Sequence, residues 1–177
     1  MASSKFPERP TLPTKEQFDL CFAETLDAQV EAMKQGKRPF VALLIGPDNR
    51  TVLLKHFSIS HVDHAEASLA RLAAIHYTQE YLWTCALYSS WEPCAMCAAT
   101  CYWANIGRVV YAARETELLQ LTGEGNEENM TLNIPCREIF AKGQKDIQVI
   151  GPVEKWEKHT VELSDKYWRP IRENKMA

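Results

Sequence analysis

Two short stretches hold the residues that could do chemistry. His64-Ala65-Glu66 stands where an apolar helical pattern begins, and Pro93-Cys94-Ala95-Met96-Cys97 follows about 30 residues later. Cys94 and Cys97 are three apart, so a helix opening at Pro93 or Cys94 sets both thiols on one face of its first turn. The free N–H groups and positive field at that end favour thiolate over thiol. Two thiolates held there are preorganised for Zn²⁺, and one further ligand would complete three protein donors with a fourth position left for water. By itself a C-x-x-C pair suits a redox motif, a structural metal or core cysteines equally well. A lone histidine at a helix start is ordinarily structural. In a regular helix His64 and Glu66 lie about 200° apart. They can face one site only if His64 sits in an irregular first turn or the metal lies beyond the helix end. His64 would then give zinc a nitrogen, and Glu66 would reach the water without binding the metal.

The elements around these motifs must bring them together. A helix is expected from about Thr14, with Phe18, Phe22, Leu26 and Val30 recurring every four residues. FVALLI (40–45) and TVLLKHF (51–57), joined by the turn sequence GPDNR, read as a hairpin. A second helix should run from His64 to Thr78, then a strand over 82–90, a third helix over 94–104 and a strand over 106–113. A short helical piece near ETELLQL precedes the polar segment 122–133, read as a loop over or beside a site. A helix near 136–142, a strand over 147–151 and a helix from about 154 to 167 finish the chain, and the tail SDKYWRP (164–170) offers Tyr167 and Trp168. Residues 1–14, with three prolines, read as a flexible leader, and 15–177 as a single domain. A hairpin followed by alternating helices and strands describes a three-layer α/β domain whose later strands pair mostly parallel.

Composition narrows the function classes. Apolar residues make up 46% of the 177, which excludes a disordered chain, and the net charge of −3 gives no basic stripe for a dominant nucleic-acid binder. No signal-peptide core or membrane-length apolar run is present. Three of the six cysteines fall within eight residues, a spacing better suited to metal or core than to a disulfide framework. A cytoplasmic setting is the expectation.

Together the two motifs read H-x-E, then P-C-x-x-C, the signature of zinc deaminases. Hydroxide would add to an amidine-like carbon while Glu66 takes the proton and passes it to the ring nitrogen and the departing amine. Beyond the signature, the chain resembles the cytidine/deoxycytidylate deaminase superfamily from PFVALLI through VVYAARE, and particularly its guanine deaminase and tRNA adenosine deaminase-like branch. LYSSWEPCAMCAATCYWANIGRVVYAA is similar to the guanine deaminase pattern, down to Tyr102-Trp103. The resemblance implies a five-stranded mixed sheet between helices, an antiparallel first pair and a homodimer. It implies His64, Cys94 and Cys97 as zinc ligands and Glu66 as proton shuttle. One departure concerns the substrate. The asparagine that family members place before the H-A-E motif is missing from TVLLKHFSISHVD; Asn49 lies at the hairpin turn, and His56 or Ser58 are the polar residues nearby.

His56, Asp63, Trp91 and Trp168 are the candidate substrate-pocket residues. Cys101 reads as a core thiol, since a fourth ligand would block the water position. Arg108 and Arg114 read as solvated or paired. The reading is a zinc-dependent hydrolase that deaminates a guanine-like purine base or nucleoside, or a related amino-heterocycle. Two rivals stand beside it: a tRNA or single-stranded nucleic-acid deaminase, which needs a cationic path, and a noncatalytic zinc-containing subunit, which needs no Glu66.

Overall fold

The computed structural model describes residues 4–174, built as five strands and seven helices in the order α1, β1, β2, α2, α3, β3, α4, β4, α5, α6, β5, α7. α1 (Lys15–Lys34) opens at Thr14, whose hydroxyl accepts the Gln17 N–H while the Gln17 side chain accepts the Thr14 N–H, a reciprocal cap. Its buried face carries Cys21, Phe22, Thr25, Ala28, Gln29 and Ala32. That face is rotated from the one expected, because α1 packs on both the sheet and α7; Phe18, Leu26 and Val30 sit at its margin.

β1 (Val41–Ile45) and β2 (Val52–Phe57) form the antiparallel hairpin. β3 (Ala86–Trp91) pairs antiparallel with β1, and β4 (Arg108–Ala113) and β5 (Gln148–Ile150) add in parallel. The order β2-β1-β3-β4-β5 is the five-stranded mixed sheet that was expected. Every residue of β1 is buried, and its side chains alternate between two helical layers. Ala42 and Leu44 face α2 (Ala65–His76), α4 (Ala95–Trp103) and α6 (Cys136–Ala141), whereas Val41, Leu43 and Ile45 face α1 and α7 (Glu154–Asn174). In the second layer Phe22 is fully buried and stacks on Trp156 at 5.6 Å. Truncating such a ring costs about 3–5 kcal/mol.

Three expectations change. Leu82 and Trp83 belong to a short helix, α3 (Gln79–Trp83), rather than to a strand, because the Thr78 hydroxyl caps it by accepting the Tyr81 N–H. The expected tail is still helix: α7 continues to Asn174, with Trp168 fully buried and Asp165 paired to Arg169 and Arg172. Residues 5–11, expected to be a flexible leader, lie against the domain. Phe6 packs edge-on against Trp83, Asn105 donates to the Lys5 carbonyl, and Arg108 donates to the Pro10 carbonyl. Gly107, just before β4 (Arg108–Ala113), permits the close approach of the α3 end, since a Cβ there would meet the Trp83 carbonyl oxygen at 1.9 Å.

α5 (Glu115–Thr122) follows β4, and 123–135 is the expected loop. No helix among the described residues is long and apolar enough to cross a membrane.

Candidate active site

The two motifs meet at one end of the sheet. His64 is the N-cap of α2, in extended backbone (φ −66°, ψ 153°), and Cys94 is the N-cap of α4 (φ −61°, ψ 172°). The extended turn at His64 takes its ring out of the helical period, so His64 and Glu66 share one site despite their spacing. Cys97, in the first turn of α4, lies beside Cys94 as the three-residue spacing requires. One ligand atom from each of His64, Cys94 and Cys97 lies within 4.8 Å of the others, and the Cys94 Sγ to His64 Nδ1 distance is 3.6 Å. All six cysteines are free thiols.

Electrostatics favour a cation here. The hydrogen bond from the Cys97 thiol, aided by the His64 ring, pulls the Cys94 thiol down to about 4. The same hydrogen bond, followed by burial, pushes Cys97 far upward. A dication bound between them would hold both sulfurs as thiolates. An imidazole nitrogen and two sulfurs fit a borderline-soft dication such as zinc. Cys101 is fully buried, lies outside this cluster, and is raised by burial, as a core thiol should be.

Glu66 is 6% exposed and faces the same pocket. Its Oε1 accepts the Ser89 hydroxyl from the neighbouring β3, a contact between motif and sheet that no local pattern announces. Burial raises its carboxyl above the usual range, and the Ser89 bond opposes the rise. An acid tuned upward in a closed site is suited to carrying protons.

Phe40, Trp91 and Leu118 form apolar walls above this floor, around a small space partly open to solvent. Arg38, Ser58, Glu115 and Asn129 supply the polar lining. Glu92 is also buried; its carboxylate accepts the backbone N–H groups of Cys136 (2.9 Å) and Glu115 (3.3 Å), joining the starts of α5 and α6 to the zinc motif. Burial, with the negative charge of Cys94, pushes the Glu115 carboxyl up to about 8.

The candidate pocket residues separate cleanly. Trp91 lines the space. His56 does not: it lies within β2 opposite Ala42, with Nδ1 2.8 Å from the Phe57 carbonyl oxygen, and Ser58, just past the strand end, takes the place beside the pocket. Asp63 is exposed and paired to Arg71 at 3.0 Å. Trp168 stands behind the wall, its ring 6.1 Å from that of Phe40. Asn49 is engaged far from the site, donating to the Thr11 carbonyl and accepting from Arg108. Arg108 is buried among neutral acceptors and Arg114 pairs with Glu157, so neither offers a cationic path. Asn129 brings the 122–133 loop beside the pocket, as expected.

Arg38 and Glu115 were missed. Arg38 precedes a strand in a charged run, and its aim depends on the hairpin. Glu115 had a faint signal, an acid directly after a core strand and at a helix start.

Comparisons with known proteins give the family and the fold. Residues 15–113, more than half of the chain, match the family model of the cytidine and deoxycytidylate deaminase zinc-binding region. A probable cytosine deaminase of Schizosaccharomyces pombe is 29% identical over 132 residues, 73% of this chain and 80% of that protein. A shorter segment of 54 residues is 43% identical to guanine deaminase of Bacillus subtilis, covering 30% of this chain and 35% of the relative. Among solved structures, guanine deaminase from Nitrosomonas europaea superposes with a TM-score of 0.62 at 19% identity, over 93% of this chain and 90% of the other. A tRNA:A34 deaminase gives 0.55 at 23% identity, over 85% and 99%. Both show the same fold.

Proposed function

The chain belongs to the cytidine and deoxycytidylate deaminase family, and from that premise we propose that it removes the amine of a free purine base or nucleoside resembling guanine. Zinc binding and hydrolytic deamination come with the family; the ring and the residue roles are the proposal. One observation carries it. A buried carboxylate, Glu66, faces the same small pocket as His64 and Cys94, whose ligand atoms and that of Cys97 behind them lie within 4.8 Å of one another, a placement that structural zinc does not need.

His64, Cys94 and Cys97 would hold the zinc, which supplies an acidified water as nucleophile when bound. Glu66 takes a proton from the nucleophile and hands it to the ring nitrogen, then takes the second proton from the oxygen newly bonded to carbon and gives it to the amine, so that the C–N bond breaks and ammonia leaves. Ser89 holds the carboxylate in the orientation these transfers share. Phe40, Trp91 and Leu118 suit a flat ring. Glu115 and Asn129 offer acceptors to the N–H groups of an aminopurine, and Arg38 offers a donor to its carbonyl. The similarity along 73% of the chain to a probable cytosine deaminase favours a second reading, in which the ring is a pyrimidine.

The test is ammonia release from a panel of purine and pyrimidine bases, nucleosides, nucleotides and short tRNA-like RNAs, with Glu66→Ala beside the zinc-loaded protein. A guanine-like substrate, turned over by the wild type and not by Glu66→Ala, is expected. Turnover confined to cytosine moves the assignment to the second reading, and turnover confined to RNA overturns both.

A further inference from the structure

Trp91 ends β3 just before the Pro93-Cys94 turn, with its ring buried against the pocket. Its Nε1–H donates to the Ser164 hydroxyl oxygen of α7 at 3.2 Å, and the same oxygen accepts Gln29 Nε2–H of α1 at 2.7 Å. One buried hydroxyl thus ties together three elements far apart in the chain. The arrangement leaves the Gln29 Oε1 and, one turn before Ser164, the Thr160 hydroxyl without hydrogen-bond partners among the described residues. Apolar side chains would fill a seam between two helices and a strand without that penalty.

From this geometry we propose that Ser164, held by Gln29, is a positioning residue that fixes the Trp91 indole as the ring-contacting wall of the pocket. The proposal rests on the reading of that pocket as a heterocycle site. An indole whose N–H is engaged behind the wall keeps its face toward the pocket instead of swinging into it. Trp168 lies one turn beyond Ser164 and packs against Phe40, the other aromatic side chain of the wall. α7 therefore backs both aromatic walls, and neither Ser164 nor Trp168 lines the pocket. Its inner face governs which ring is accepted, and the zinc floor governs turnover.

A double-mutant cycle tests this, using Ser164→Ala, Trp91→Phe and the pair, with zinc content measured for each. Ser164→Ala should keep its zinc and hold kcat within about twofold while KM for the best ring substrate rises about three- to tenfold, the worth of one neutral hydrogen bond. Phenylalanine has no N–H, so adding Ser164→Ala to Trp91→Phe should raise KM no further. Ser164→Thr, which keeps the hydroxyl, should restore the wild-type KM. Near-UV circular dichroism should lose an indole band in Ser164→Ala but not when the same change is made beside Trp91→Phe. Additive KM effects overturn the proposal, and so does an unchanged indole band. If the wild type deaminates no heterocycle, the functional reading fails separately, and the indole band alone decides the placement of Trp91.

Discussion

At the floor of the pocket, His64, Glu66, Cys94 and Cys97 come from two helix starts, each carrying its own short motif. The walls draw Arg38, Ser58, Trp91, Glu115 and Asn129 from separate strand ends, a helix start and a loop. The floor needs only that α2 and α4 begin at the same end of β2 and β3, which run parallel on either side of β1. The walls depend on how loops and α7 close over that end. Chemistry built on local motifs tolerates variation above it, so ring preference can change while the reaction stays.

Breaking the floor should have the largest effect. Cys97→Ala should abolish both stoichiometric zinc and turnover, and lose most of the rise in Tm that zinc gives the wild type. A site saturated about a thousandfold above its dissociation constant contributes about 4 kcal/mol. Retained zinc at one per chain in Cys97→Ala would remove this residue from the ligand set. Glu66→Gln separates metal from proton transfer. It should keep zinc yet lose about 10²–10⁴ in kcat, as metal analysis and ammonia release on the same sample would show. A kcat near wild type would end its assignment as proton carrier.

The walls predict smaller, condition-dependent effects. Glu115 has a folded pKa raised from its ordinary 4.5 to about 8, so as pH rises the unfolded chain gives up this proton first. Stability from this residue is therefore lost between about pH 4.5 and 8, by a few kcal/mol to order of magnitude. Glu115→Gln escapes that loss. Its Tm advantage over wild type should grow from pH 5 to pH 8, and a constant difference would show that the carboxyl titrates normally. The smallest effect is expected at Arg38, half-buried at the pocket and in contact with the exposed His61 at 3.2 Å. Arg38→Gln should raise KM about three- to tenfold with kcat and zinc content unchanged. A fall in zinc content would instead tie Arg38 to the floor.

Helix α1, the hairpin, the order of the later elements and the meeting of the two motifs at one site were legible in the sequence, because each rests on a pattern a few residues long. α3 was not: Leu82 and Trp83 extend an apolar run that also suits a strand, and the Thr78 cap that decides the matter acts through one hydrogen bond. The length of α7 was hidden by Pro170, whose usual role as a helix breaker gives way here to the burial of Trp168. His56 and Asp63 are close to the H-A-E motif in the chain but do not line the pocket. Strand pairing keeps His56 within the sheet, and Arg71 holds Asp63 in solvent contact.

By itself the sequence determined the reaction class, because ligand spacing, helix starts and a nearby acid are properties of local geometry and donor chemistry. Tertiary structure decided the rest: that Ser89 hydrogen-bonds Glu66, that Glu115 and Arg38 line the pocket, and that Trp168 packs behind Phe40 rather than lining it. The Ser89–Glu66 bond joins residues 23 positions apart and the Trp168–Phe40 contact joins residues more than 100 apart, and only the packing of helices on both faces of the sheet brings such residues together.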